Sequence, residues 1–473
     1  MAQVVDVTVS KLSKKGEGIA LYQERELFIP QVLVGEKLTV ELGEPFAPGS
    51  SRCPGKVLEI IQPSKDRASL IPCPYYGSCG GCQLMHVSES AQLEIKRSDI
   101  KAAFEVVQSK LKQSPKGQDL ELDKLKIEMV ANDSYQEAVR FKSIRYFGYD
   151  NNQHLIQGFY ASRSHEVVAI EHCCQEPRTF GVIATSLCAT LNAMGAQLSS
   201  STSEAAPWGV KAVQLRQGDT KHSIQVLLIV SGRMNDEDKS KLSLWAQEQH
   251  LSSFYIGYNH SAGNSLFCEQ VELLAGSSLI EKHMGNLSFK LGPQSFMQVN
   301  YPMTEKLYQA AIEHASSFNW AYESSWGLDL CCGVGTMTLS LSKHLTQVTG
   351  VEIVAAAIEA AKDNAKANGI ENVSFIAGDM NQVLPSLIKG PQRAKVAGVI
   401  ADPARAGLGN SCAALIGKLT GPCALSLIFC SLTALERDLP VILKAGFKLK
   451  SVHGFDMFPH SKHIETLVCL TKG

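Results

Sequence analysis

Two sets of cysteines in this chain have surroundings that suit chemistry. The first is Cys73-x5-Cys79-x2-Cys82, within CPYYGSCGGC, where two glycines let the backbone wrap around three thiolates. Such thiolates bind zinc or an iron–sulfur cluster, and both usually take four donors. The spacing leaves iron and zinc equally open. The second is Cys430, which ends the apolar run LSLIFC and precedes a helix start. A thiolate there gains stabilisation from the exposed amides of the first helical turn, which a nucleophile needs. Thr433 and Glu436 spell a capping box for that helix. An inert core thiol fits the same position, so the reading depends on partners elsewhere.

Those partners are acids. Asp329-Leu330-Cys331-Cys332-Gly333-Val334-Gly335 follows an apolar strand and opens a helix. Small residues there allow a ligand to approach the backbone at the carboxyl end of a sheet. A dinucleotide loop needs a further Gly or Ala at 338, where this chain has Thr338. An acid ahead of the glycines sits poorly beside a pyrophosphate but suits the amino group of S-adenosylmethionine. Glu352 closes the next strand, where it can accept hydrogen bonds from ribose hydroxyls. Asp379, after the third strand, is placed to meet the adenine. Asp402-Pro403-Ala404-Arg405 follows the fourth strand and lacks the aromatic that amine methylases use there. It also lacks the extra cysteine of cytosine-5 RNA methylases. A uridine C5 remains the best target. Thiolate addition at C6 activates C5 toward a methyl donor, and a base must then remove the C5 proton. Glu465, in His463-Ile464-Glu465, is the candidate base.

Positioning these residues takes three units. Residues 1–62 alternate as five short strands with turns between them, predicting a small barrel of oligonucleotide-binding type. Residues 63–290 hold the cysteines, a helix with Ile95, Ile100, Ala103, Phe104 and Val107 on one side, and further strands. SPKGQD (114–119) and SSSTSEAAP (199–207) read as surface loops. From 291 to 473 strands and helices alternate, which predicts an open, largely parallel α/β sheet of Rossmann type.

The 473 residues include 45 Lys and Arg against 46 Asp and Glu, so any nucleic-acid contact must be a local basic patch. Lys11, Lys14, Lys15, Arg140, Lys142 and Arg145 are candidate phosphate contacts, with Phe141, Tyr146 and Phe159 for stacking on bases. No apolar run reaches the length of a membrane span and no signal sequence is visible, so a cytoplasmic protein with reduced thiols is expected.

These motifs together resemble the RNA 5-methyluridine methyltransferases of the TrmA/RlmD type, nearest to the branch acting on 23S ribosomal RNA. GEGIA and ELFIPQVLVGE are similar to a TRAM domain. Gln294-Ser295-Phe296-Met297-Gln298-Val299-Asn300 resembles the family's SFFQxN, GVE matches at Glu352, and DPARAG matches at Asp402. The resemblance implies Cys430 as nucleophile and Glu465 as base. It adds Gln298 and Asp402 to Asp329, Gly333, Gly335, Glu352 and Asp379 as cofactor contacts, with Cys331 and Thr336 in the same loop where the family has Phe and Asn. It also implies a [4Fe-4S] cluster on Cys73, Cys79, Cys82 and Cys173. Expected partners are 23S rRNA, or tRNA, with no DNA, no membrane and a monomeric state. Two stretches differ from the family pattern: Phe429-Cys430-Ser431-Leu432 stands where Ser-Cys-Asn-Pro is usual, and DLCCGVGTMT replaces DLFCGxGNFT. An RNA-binding or ribosome-assembly protein on the same scaffold is the alternative reading.

Overall fold

A computed structural model describes residues 3–47, 49–114, 120–133, 138–199, 207–263, 265–318, 325–389 and 396–473. Most of the two expected loops, at 114–119 and 199–207, lie outside the described residues. The first five strands, Val4–Leu12, Gly18–Tyr22, Arg25–Ile29, Lys37–Leu42 and Arg52–Gln62, close into a barrel. Their alternation puts Val5, Val7, Val9, Leu27, Ile29, Leu38 and Val40 inside. That closed five-stranded barrel fits the expected oligonucleotide-binding type.

The central unit is a seven-stranded sheet whose middle strands are Ile224–Ser231, Gly209–Gln217 and Lys142–Tyr149. Helices Arg178–Ala193 and Asp236–Glu248 cover one face through Phe180, Leu187, Leu191, Leu242 and Trp245.

The third unit is an eight-stranded sheet. Its parallel strands Val373–Ala377, Gln347–Glu352, Trp326–Leu330, Val396–Ala401 and Cys423–Phe429 lie side by side in that order. Glu465–Lys472 then runs antiparallel between Cys423–Phe429 and Lys448–Phe455. This is the α/β sheet expected from strand–helix alternation, with one reversed strand.

Its last strand comes from far back in the chain. Ile127–Val130 pairs parallel with Val452–Phe455 and forms the sheet's edge. The helix Glu89–Lys112 packs Ile100, Ala103, Phe104, Val107 and Leu111 into the same core as Leu435, Leu439 and Ile442 of the helix Leu432–Lys444. The expected boundary at 291 is therefore corrected. The helix Glu89–Lys112 and the strand Ile127–Val130 complete the α/β unit, because they find their partners there and not on the central sheet.

Two polar links fix this helix to the segment ahead of Glu465. Lys96 forms a fully buried ion pair with Asp456 and also donates to the Phe458 carbonyl at 3.0 Å. Gln92 accepts from the His460 amide at 2.9 Å. Removing Lys96 takes from the buried Asp456 carboxylate the cation it faces in this pair. Lys96→Ala is expected to destabilise the protein by about 3–5 kcal/mol, read by urea unfolding. A cost below about 1 kcal/mol would show that the pair does not hold the loop.

Candidate active site

The loop after Trp326–Leu330 turns sharply, with Cys331, Gly333 and Gly335 all at positive φ (73°, 54° and 88°). Gly335 precedes the short helix Thr336–Leu341. A side chain there would press on Ala361 Cβ at 3.2 Å and Phe375 Cζ at 3.3 Å, so glycine is needed on steric as well as conformational grounds. Gly333 faces open space instead. Glu352 accepts the Gly333 amide at 3.2 Å and the Val354 amide at 3.0 Å, which ties the loop to the neighbouring strand.

Asp329 lies beneath this loop and is fully buried. Thr338 donates to its Oδ2 at 2.6 Å, while Oδ1 has no partner. Burial raises its carboxyl to about 7, against the hydrogen bond from Thr338. An orphaned buried carboxylate oxygen is the acceptor a ligand ammonium would satisfy, and open space at Gly333 leaves room for that ligand. These residues fit S-adenosylmethionine.

The raised carboxyl makes a pH prediction. Asp329 keeps its proton to about pH 7 when folded but ionises near 4 when unfolded, so ligand-free stability falls as pH rises between those values. Asp329→Asn is expected to flatten that part of the curve and add on the order of 3 kcal/mol at pH 8. The same change should weaken S-adenosylhomocysteine binding tenfold or more, on the scale of a lost hydrogen bond to a charged group. Calorimetry and thermal melts measure both; a variant that binds normally would remove Asp329 from the site.

A cavity of about 470 Å³ opens above the loop. It brings together Gln298, Cys331, Gly333, Thr336, Glu352, Asp402, Cys430 and Glu465. Asp379 is not among the lining residues. It caps the helix Met380–Leu387 and accepts from the Asn381 amide at 2.8 Å. Gln298 donates to Asp402 at 3.3 Å. Asp402 is pushed up to about 6 by burial, and Glu465 is raised well above its ordinary range by burial and by Asp402, with Arg405 opposing. Glu465 Oε2 has no hydrogen-bond partner.

Cys430 sits half-buried, its sulfur 3.9 Å from the Pro403 carbonyl. The helix after it begins at Leu432 and is capped by Ser431, which accepts the Ala434 amide at 3.4 Å. The Thr433–Glu436 capping box is thus displaced, because the helix starts two residues earlier. Nor does the thiol end up lowered by its surroundings. Burial, with Glu465 and Asp402 nearby, pushes it up to about 11, outweighing Arg405. Tyr308, Arg405, Phe458 and His463 also line the cavity and were not singled out from sequence. The DPAR and HIE motifs flanked two of them; Tyr308 lies on the helix Tyr301–Ala315, with nothing local to mark it.

A second cavity, of about 220 Å³, is lined by Cys73, Cys79, Cys82, Cys173 and Cys174. Cys174 donates its thiol to Cys73, which lowers Cys73 to about 6, while burial raises Cys82 and Cys173 to about 11 and 12. Among the described residues, no group of three or more His, Cys, Asp or Glu side chains is placed to hold a metal ion. The soft donor set and the room between these thiols fit a larger sulfur-bridged group.

Several expected RNA contacts are elsewhere. Arg145 is fully buried, paired with Glu176 at 2.5 Å and donating to Gln157 and the Ile170 carbonyl. It points inward because the alternating strand Lys142–Tyr149 turns its face to the interior. Phe141 stacks on Tyr301 at 5.1 Å in the core. Lys142 lies beside Arg216, and burial pulls its amine down to about 7. Arg140, Tyr146 and Phe159 line the cysteine cavity. Lys14 and Lys15 instead share a groove of about 430 Å³ with Arg163, Lys462 and His463. His463 also lines the larger cavity, so the two share a wall.

A cavity at the carboxyl ends of parallel strands, floored by a glycine loop with acids beneath and beside it, defines an S-adenosylmethionine-dependent methyltransferase. The profile described as tRNA (Uracil-5-)-methyltransferase matches residues 189–473. Over nearly its whole length the chain is similar to proteins named uncharacterized RNA methyltransferases. One, from Halalkalibacterium halodurans, is 30% identical over 473 residues, covering 99% of this chain and 96% of the relative. Another, from Listeria monocytogenes, is 30% identical over 478 residues, covering 99% and 97%. The fold is that of the Pyrococcus abyssi tRNA (uracil-54, C5)-methyltransferase solved with S-adenosyl-L-homocysteine: TM-score 0.71, 20% identity, covering 98% of this chain and 99% of that one. The chain belongs to the tRNA (uracil-5-)-methyltransferase family and is an S-adenosylmethionine-dependent RNA methyltransferase.

Proposed function

We propose that this enzyme methylates C5 of one uridine in 23S ribosomal RNA through a transient bond between Cys430 and C6. The observation that supports this is the meeting of Cys430, Glu465, Asp402 and Gln298 in the cavity that also contains the glycine loop. Cys430 first loses its proton to solvent, its thiolate adds to C6, and the electrons of the C5–C6 double bond move toward O4 as an enolate. S-adenosylmethionine, when bound, supplies an electrophilic methyl group to C5. Glu465 then takes the C5 proton, the double bond re-forms, and the thiolate of Cys430 leaves. A buried carboxylate with a raised proton affinity and a free Oε2 suits that removal. Asp329, through its unpaired oxygen, would hold the cofactor's amino group.

Of the cations in the neighbouring groove, Arg163 and Lys462 are paired with Glu17 and Asp99, which leaves the exposed Lys14 and Lys15 as the candidates for phosphates. The target must leave its stack to reach Cys430, so an unpaired loop is the expected substrate. The cysteine cavity would hold a [4Fe-4S] cluster on Cys73, Cys79, Cys82 and Cys173, organising the RNA-binding face; protein purified under argon should be brown and carry iron. Colourless protein holding only zinc would overturn that assignment. A tRNA substrate is the second reading, favoured by the likeness to an enzyme named for tRNA uracil 54. Nucleoside mass spectrometry of rRNA and tRNA from a deletion strain tests both. Loss of 5-methyluridine from tRNA alone would replace the ribosomal substrate, and no loss from either RNA would remove the reaction.

A further inference from the structure

The segment from Val139 to Phe141 touches both cavities at once. Val139 and Arg140 donate their amides to the Gln175 carbonyl at 3.2 and 2.8 Å, two residues from Cys173. The next amide, of Phe141, donates to the Val299 carbonyl at 2.9 Å, beside Gln298. Three consecutive residues therefore run from the wall of the cysteine cavity to the wall of the reaction cavity. The Arg140 side chain lines the cysteine cavity, and its Nε is buried with no hydrogen-bond partner. Its charge acts on Cys79, Cys82 and Cys173 on one side and on His463 on the other. An orphaned guanidinium N–H in a dry site costs free energy unless an acceptor arrives.

We propose that Arg140 is a positioning residue that donates a hydrogen bond to a sulfur of the cluster in the cysteine cavity, and thereby couples loading of that cavity to the geometry of Phe296–Val299. The inference rests on the iron–sulfur reading above. An anionic sulfur is the acceptor that Nε lacks, and hydrogen bonds to cluster sulfurs help set the reduction potential. With the side chain anchored, the backbone on either side keeps Gln175 and Val299 in register, and with Val299 the Gln298–Asp402 contact. A lysine would keep the charge but lose the planar fork.

The test compares wild type, Arg140→Lys and Arg140→Met, all purified without oxygen. Three quantities are read: iron content, cluster midpoint potential, and S-adenosylhomocysteine affinity without RNA. The Met variant should keep its iron, show a more negative potential, and bind S-adenosylhomocysteine about tenfold more weakly, within the usual range of coupling between sites. Chelating the cluster from wild type should weaken binding by a similar factor, and chelating it from the Met variant should add nothing. Iron-loaded Met variant with unchanged potential and affinity would overturn the proposal alone. Should that variant lose its cluster, the Lys variant decides, and wild-type values for both quantities there overturn it. Wild type that carries no iron overturns the cluster reading and this inference together.

Discussion

Cys430→Ala is expected to lower methyl transfer by roughly 10⁴-fold or more, the scale seen when a nucleophile is removed from a catalytic unit. S-adenosylhomocysteine binding should stay within about threefold, since a single small side chain on the substrate side of the cavity is worth little to the cofactor. The reason lies in uracil itself, whose C5 does not attack a methyl donor until C6 carries a nucleophile. Burial pushes the thiol up to about 11, so thiolate is scarce at neutral pH and kcat/KM should climb as pH rises from 6 to 9. A variant retaining a hundredth of wild-type activity would end the covalent account. A flat kcat/KM profile would instead show that the free enzyme's thiol is not held up by its surroundings.

Glu465→Gln isolates the opposite end of the reaction. The amide can still fill the pocket but cannot remove the C5 proton, so turnover should fall by about 10²–10⁴-fold, the span of general base catalysis. Addition and methylation precede that step. The variant should therefore accumulate a protein–RNA adduct that survives denaturing electrophoresis and carries the methyl group, and Cys430→Ala in the same background should abolish it. Absence of any adduct, with slowed but normal product release, would assign the proton to another base. Asp402 is the neighbour to examine then, since its carboxyl lies in the same cavity and is also raised.

Much of this was legible because the relevant signals are local. The barrel follows from alternation over Val4–Gln62, and the glycine loop from Asp329 through Gly335 lies where an apolar strand meets a helix. Cys430, Asp402, Glu352 and Glu465 were readable for the same reason, each closing or opening a strand. The misplacements share a different cause. Arg145 reads as a surface cation until strand alternation and the Glu176 carboxylate draw it inward. Asp379 closes a strand as Glu352 does, yet its side chain caps its own helix. Ser431 wins the N-cap over Thr433 because the chain enters the helix directly from Cys430, a matter of backbone geometry and not of residue type. Tyr308 and Arg140 acquire meaning only from tertiary neighbours.

The edge strand has a consequence for biosynthesis. Ile127–Val130 leaves the ribosome long before Val452–Phe455, its neighbour in the sheet, has been translated. The helix Glu89–Lys112 likewise carries Phe104 and Leu111 into solvent until the helix Leu432–Lys444 appears. For most of synthesis the nascent chain presents a greasy ridge and an unzipped strand, both of which invite wrong partners. A truncated product ending before residue 432 would never bury them, so quality-control proteases should clear it quickly. The catalytic unit is thus finished by segments made long before its last strands, and the two must meet before any methyl group can move.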